Sequence, residues 1–193
     1  MSSKLLAAAL GLGLALGGAA LAQDATDGPG PNLILDIAGQ ANGRIVIDLW
    51  PDLAPGHVDQ IVALAREGAY DSVVFHRVID GFMAQTGDVQ FGKKGGDTSL
   101  AGMGESSRPD LAAEFSDRSF ARGVVGMARS SDPDSANSQF FIMLAPAPHL
   151  DGQYTVVGQV ISGMEVVDAI RKGDQRQNGL VDNPDYINSA SVR

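Results

Sequence analysis

VFHRVIDGFMAQTGD, residues 74–88, sets an arginine among apolar neighbours and follows it with a second extended run. Side chains on a strand alternate faces. Strict alternation therefore puts Phe75, Arg77 and Ile79 on one side and Val74, His76 and Val78 on the other. Two readings of Arg77 are open at this point: a solvated cation on an edge strand, or a cation held beside an apolar pocket. By the same period Met83 and Gln85 share a face.

Upstream, NLILDIA (32–38) and GRIVIDLW (43–50) alternate on either side of Gly39-Gln40-Ala41-Asn42, which is a hairpin signal. Pro51 and Pro55 break the strand. HVDQIVALAREG (57–68) then spaces Val58, Ile61, Val62 and Leu64-Ala65 as one helical face that ends at Gly68. Downstream, glycine-rich irregular sequence fills 87–109. GVVGMAR (123–129), SQFFIML (138–144) and YTVVGQVI (154–161) read as strands, GMEVVDAIRKG (163–173) as a second helix and YINSASVR (186–193) as a closing strand. Short strands, two helices and no βαβ rhythm give a mainly β fold, a closed antiparallel barrel with helices outside it.

Residues 1–22 hold one charge, Lys4, then an apolar run ending in Ala20-Leu21-Ala22, the small-x-small pattern of a secretory leader. The competing reading is a membrane anchor, for which the Gly- and Ala-rich run is only marginally long. Cleavage after Ala22 would leave Gln23 first, a linker over 23–31 and one domain over 32–193. The chain has 14 basic and 23 acidic side chains, a net charge of −9. Such a surface repels nucleic acid and anionic membrane, so neither is expected as a partner. The absence of cysteine excludes disulfides, thiol catalysis and thiolate metal sites.

Standard catalytic constellations fail. DPDSANSQFFIM (132–143) opens like a calcium loop but has Asn137 where the loop needs glycine and Met143 where it needs glutamate. GKKGG (92–96) lacks the phosphate-loop spacing, and no G-x-S-x-G elbow occurs. His57, His76 and His149 are too dispersed to form a local metal motif. What stands out is polarity among aromatics. Alternation in SQFFIML groups Gln139, Phe141 and Met143 opposite Phe140, Ile142 and Leu144. If these strands are neighbours, Arg77, Met83, Gln85, Gln139 and Phe141 share a surface with the make-up of a ligand pocket. Core Met and Phe beside solvated Gln is the other reading of the same pattern.

FHRVIDGFMAQTGD, AEFSDRSFARGVVGMARS, ANSQFFIMLAP and HLDGQYTVVGQVISGMEVVDAI, in this order, resemble the cyclophilin family of peptidyl-prolyl isomerases in its bacterial exported branch. The resemblance implies a closed eight-stranded barrel capped by two helices, with a peptide groove on its outer face. It implies a proline pocket of Phe82, Met83, Phe141 and Leu150, with Gln85 and Ala128-Arg129 on the peptide backbone, Gln139 beside them, and Arg77 as the catalytic residue. His76 would then hydrogen-bond inside the barrel. His149 stands where many eukaryotic members carry the tryptophan that grips cyclosporin, Tyr154 where they carry a groove histidine, and Arg129 where they carry asparagine. The expected function is rotation of X-Pro bonds in unfolded or folding exported chains, by a periplasmic monomer that needs no metal or cofactor. The alternative is a proline-peptide-binding holdase with little catalysis.

Overall fold

The computed structural model describes residues 26–193, so the leader and the start of the linker lie outside the described residues. The two alternating runs form the expected hairpin, β1 (Asn32–Ala38) antiparallel to β2 (Gly43–Leu49), with Ile34 opposite Val46. Leu33, Leu35 and Ile37 of one strand and Ile45, Ile47 and Leu49 of the other are buried in the main core. Each such side chain contributes about 1.5–3 kcal/mol of burial. The turn requires glycine at 39, where φ is +133° and a Cβ would collide with the Asp185 carboxylate. That buried carboxylate accepts from the backbone N–H groups of Gln40, Ala41 and Arg171, tying the hairpin to the C-terminal region.

Helix α1 (Pro55–Arg66) starts at a proline and has no local side-chain cap. Glu114 caps it from a distance: its two carboxylate oxygens accept from the N–H groups of Gly56 and His57, both at 3.1 Å, and one also accepts from His57 Nδ1 at 2.6 Å. These bonds satisfy donors that a helix start leaves open. The apolar face (Val58, Ile61, Leu64, Ala65) is buried, and the helix lies against the last strand.

The remaining strands are β3 (Arg77–Ile79), β4 (Met83–Thr86), β5 (Val124–Met127), β6 (Phe140–Met143), β7 (Val156–Ser162) and β8 (Tyr186–Val192). The eight strands form one antiparallel sheet in the order β3-β4-β6-β5-β7-β2-β1-β8. The sheet curls but does not close: it is an open half-barrel, and the expected closed barrel is corrected here. The free edge of β3 is taken by the segment 173–181, through Gly173 N–H to Val78 O, Val78 N–H to Gly179 O and an Arg77–Leu180 bridge. On its other side from β1, β8 meets residues 71–75 by a single Val74–Tyr186 bridge, a few backbone bonds and Ala190 N–H to Asp71 Oδ1.

Helix α2 (Met164–Ala169) buries Val166 and Val167 against β2. It stops before the expected Gly173 because Ile170 turns extended (ψ 133°) and buries its own side chain. No helix among the described residues is long and apolar enough to cross a membrane.

Candidate active site

The short strands β3, β4 and β6 lie side by side with a register that builds rows across them. Arg77 opposes Gln85, Gln85 opposes Phe141, and Phe141 opposes Gly126 of β5. A second row runs Ile79, Met83, Met143. The row between them, Val78, Ala84, Ile142 and Val125, is fully buried in the main core. Period-two alternation thus gives this part of the sheet an inner face for stability and an outer face on which Arg77, Met83, Gln85 and Phe141 meet. The outer face has its own apolar cluster, in which Met83, Phe141, Met143 and Leu150 pack with Phe120, Val124, Ala147 and Val156.

Phe141 is wedged between two rings. Phe120 stacks on it at 5.7 Å and Tyr154 meets it edge-on at 5.7 Å. No side chain fits opposite them: a Cβ on Gly126 would lie 2.6 Å from Phe120 and 2.7 Å from Phe141. The 3-10 turn Pro148–Leu150 buries Leu150 and leaves His149 exposed, stacked on Phe82 at 5.7 Å. Arg129 covers the other rim, its guanidinium 4.5 Å from the Tyr154 ring centre and bonded to the carbonyls of Gln153 and Ser130.

These walls enclose a cavity of about 170 Å³ lined by Arg77, Phe82, Met83, Gln85, Ala128, Arg129, Phe141, Leu150 and Tyr154. That is below the roughly 300 Å³ at which drug-sized pockets begin, so it suits one side chain rather than a whole ligand. A second cavity of about 330 Å³ shares Gln85, Ala128 and Arg129 and adds Gln139. A larger cleft, about 860 Å³, lies elsewhere around Trp50. The cation lining that cleft, Arg118, is stacked on Trp50 at 4.4 Å, and Asp52, Asp117, Ser119 and Gln159 line it as well.

Arg77 is half-buried, and burial pulls its guanidinium below the ordinary pKa, with Tyr154 acting in the opposite sense. It stays protonated at neutral pH. Its Nη1 donates to Gln85 Oε1 at 3.2 Å, with Met83 Sδ at 3.9 Å. Nε donates to the backbone carbonyl of Asn178 at 3.0 Å and Nη2 to Asn178 Oδ1 at 2.9 Å. Gln85 donates to Gln139 at 3.0 Å, and Gln139 donates to Gly104 O at 2.7 Å. The loop carrying Gly104 is held by the buried Asp88, which accepts from the N–H groups of Gly102 and Gly104.

Nine of the eleven residues picked out from the sequence thus line one cavity. Gln139 lines the adjoining one, and His149 lines neither but stacks on Phe82 of the first. Two expectations are corrected. Phe75 does not share a face with Arg77: it is wholly buried in the main core, because residues 75–76 leave regular strand to bond Asp185 and Val181. His76 makes no hydrogen bond through either ring nitrogen, although it is buried, packed under Gly102. Three neighbours of the site were not anticipated: Phe120, Gly126 and Asn178. A glycine inside GVVGM signals a close approach, and Asn178-Gly179 is a turn dipeptide, but neither names its partner.

A small cavity with apolar walls, lined also by a restrained cation on the outer face of a curled eight-stranded sheet, has room for one apolar side chain beside hydrogen-bond donors. The chain belongs to the family of cyclophilin-type peptidyl-prolyl cis-trans isomerases, whose model matches residues 34–192. It is 60% identical over 153 residues, 78% of each chain, to a probable peptidyl-prolyl cis-trans isomerase of Brucella suis. Among solved structures it resembles the cyclophilin AquaCyp293 of Hirschia baltica, with a TM-score of 0.69 and 26% identity over 85% of this chain and 74% of that one. A cyclophilin-type isomerase of Cryptosporidium parvum shares the fold, with a TM-score of 0.70 and 24% identity over 84% of this chain and 98% of that one.

Proposed function

We infer that the chain, a peptidyl-prolyl cis-trans isomerase by family, works on unfolded or folding proline-containing chains exported to the bacterial envelope, with Arg77 as its catalytic residue. The observation that carries this reading is the Arg77 guanidinium, held by Asn178 and Gln85, lining one cavity with Phe82, Met83, Phe141 and Leu150. An X-Pro bond rotates over a barrier of roughly 18–20 kcal/mol because the nitrogen shares its lone pair with the carbonyl. Twisting the amide localises that pair on the prolyl nitrogen. A fixed donor can then bond it in the twisted state alone, which is differential binding of the transition state.

An acceleration of about 10⁵ needs roughly 7 kcal/mol off the barrier, more than one charge-assisted hydrogen bond supplies. The remainder comes from seating the proline ring in the apolar cavity while Gln85 and the Ala128-Arg129 backbone hold the flanking peptide, so that rotation is the freedom left. No bond is made or broken, and no nucleophile, metal or cofactor is called for. A pure holdase would have no use for a cation so restrained at the pocket mouth.

The leader pattern at 1–22 supports export to the periplasm with cleavage after Ala22, and the net charge of −9 favours a monomer through self-repulsion. The deciding experiment compares wild type with Arg77→Ala on a short proline peptide. We expect kcat/KM to fall by at least about tenfold, or 1.4 kcal/mol, with melting little changed. Full activity in a folded Arg77→Ala protein would remove the assignment.

A further inference from the structure

We propose that Asn178 is a positioning residue for Arg77, holding the guanidinium by two of its edges so that the donors left over face the cavity; the proposal rests on the catalytic reading of Arg77. Asn178 is 101 residues away in sequence and meets Arg77 with two acceptors, its backbone carbonyl to Nε and its Oδ1 to Nη2. Gln85 takes a third donor from the opposite side. A guanidinium has five N–H groups: these bonds use three, a second on Nη1 meets only the weak acceptor Met83 Sδ at 3.9 Å, and one on Nη2 is left over. A flexible arginine would have to be ordered during each turnover, whereas this one is ordered beforehand.

The loop is built for the purpose. Asn178 has φ 55° and ψ 32°, a left-handed conformation that asparagine tolerates and most residues resist. That conformation turns its main-chain and side-chain oxygens toward the same neighbour. The turn before it is closed by Asp174, whose side chain accepts from Arg176 N–H and whose carbonyl accepts from Gly179 N–H. Gly179 then bonds β3 itself, and a Cβ there would lie 2.5 Å from Ile79. Asn178 is thus fixed from both sides although its side chain is exposed.

Asn178→Gly tests this, since it keeps the left-handed backbone and removes Oδ1; Asn178→Ala serves if glycine loosens the turn. Expected is a loss of roughly tenfold to a hundredfold in kcat, the scale of a misplaced catalytic group, with the affinity for a proline peptide changed far less. The Arg77 Nε–H resonance should shift and broaden in the free enzyme, and Asn178→Asp, which keeps the oxygen, should restore most of the activity. In an Arg77→Ala background Asn178→Gly should add nothing. Wild-type kcat in a folded Asn178→Gly protein, equal losses for glycine and aspartate, or additive losses in the double variant would overturn the proposal. If Arg77→Ala were itself fully active, the catalytic reading would fall with it. An inactive Arg77→Ala beside a fully active Asn178→Gly removes the positioning role alone.

Discussion

Gln85 donates its side-chain amide to Gln139 at 3.0 Å, and the direction of that bond is dictated from both ends. Gly104 O, at one end, can only accept; Arg77, at the other, can only donate. Flipping either amide would set donor against donor. The pair therefore passes an orientation from the loop held by Asp88 to the cation in the groove.

Gln85→Leu keeps the bulk and removes both ends of that relay. A hydrogen bond to a charged group is worth about 1.5–3 kcal/mol, so kcat/KM should fall by about tenfold or more. A peptide isomerisation assay paired with thermal melting checks this. Unchanged turnover in a folded variant would show that Arg77 needs no support from β4.

Gly126→Ala places a methyl group against both Phe120 and Phe141, and Phe141 is a wall of the cavity. Overpacking of this kind costs about 1–3 kcal/mol. The expected outcome is a melting temperature lower by several degrees, together with weaker binding of a proline peptide in calorimetric titration. Normal affinity and normal melting would contradict the packing described for this wall.

His76 should make the fold sensitive to mild acid. Burial, the dominant cause, pushes its imidazole from 6.5 down to about 4, with Asp88 pulling the other way and Arg77 adding to the fall. Between those values the unfolded chain binds a proton that the folded chain refuses, so stability rises with pH through this window and is lost as pH drops from 6.5 toward 4. His76→Gln should flatten that part of a melting-temperature profile. An unaltered slope would assign the acid sensitivity to other groups.

His149→Trp should tighten cyclosporin by about tenfold or more, because a buried indole in an aromatic-anchored interface contributes 2 kcal/mol or more. His149 is exposed and already stacked on Phe82, so a larger ring has both room and a partner. Turnover of a short peptide should change much less, since Arg77 and the cavity floor are untouched. Titration calorimetry of both proteins decides the matter, and equal drug affinity would mean that position 149 does not reach the ligand.

Mass spectrometry of the protein recovered from the cell envelope should find Gln23 at its N-terminus. An intact Met1 on a cytoplasmic protein would rule out the export reading of Ala20-Leu21-Ala22.

Where contacts follow a strand period, the sequence could be read. Gln139, Phe141 and Met143 face the groove side, and Phe140, Ile142 and Leu144 enter the core, as alternation requires. Period fails at Phe75, because the bonds from Asp185 and Val181 that break the strand there come from more than a hundred residues away. The end of α2 was missed for a related reason: Ile170 leaves the helix to fill the core, and Arg171 N–H bonds Asp185. Arg77 alone is ambiguous, because one residue on one strand does not reveal what lies across from it. Asn178 gave no sign at all beyond a turn, since its partner is a strand that folds against it from the other half of the chain.

Because β3 is the end of the sheet and is bordered by 173–181, the cation cannot be set until nearly the whole polypeptide is present. A chain emerging N-terminus first would carry every residue that lines the cavity before Asn178 arrives. On the catalytic reading of Arg77, turnover of a proline segment would therefore be gained only after residue 178 has been made.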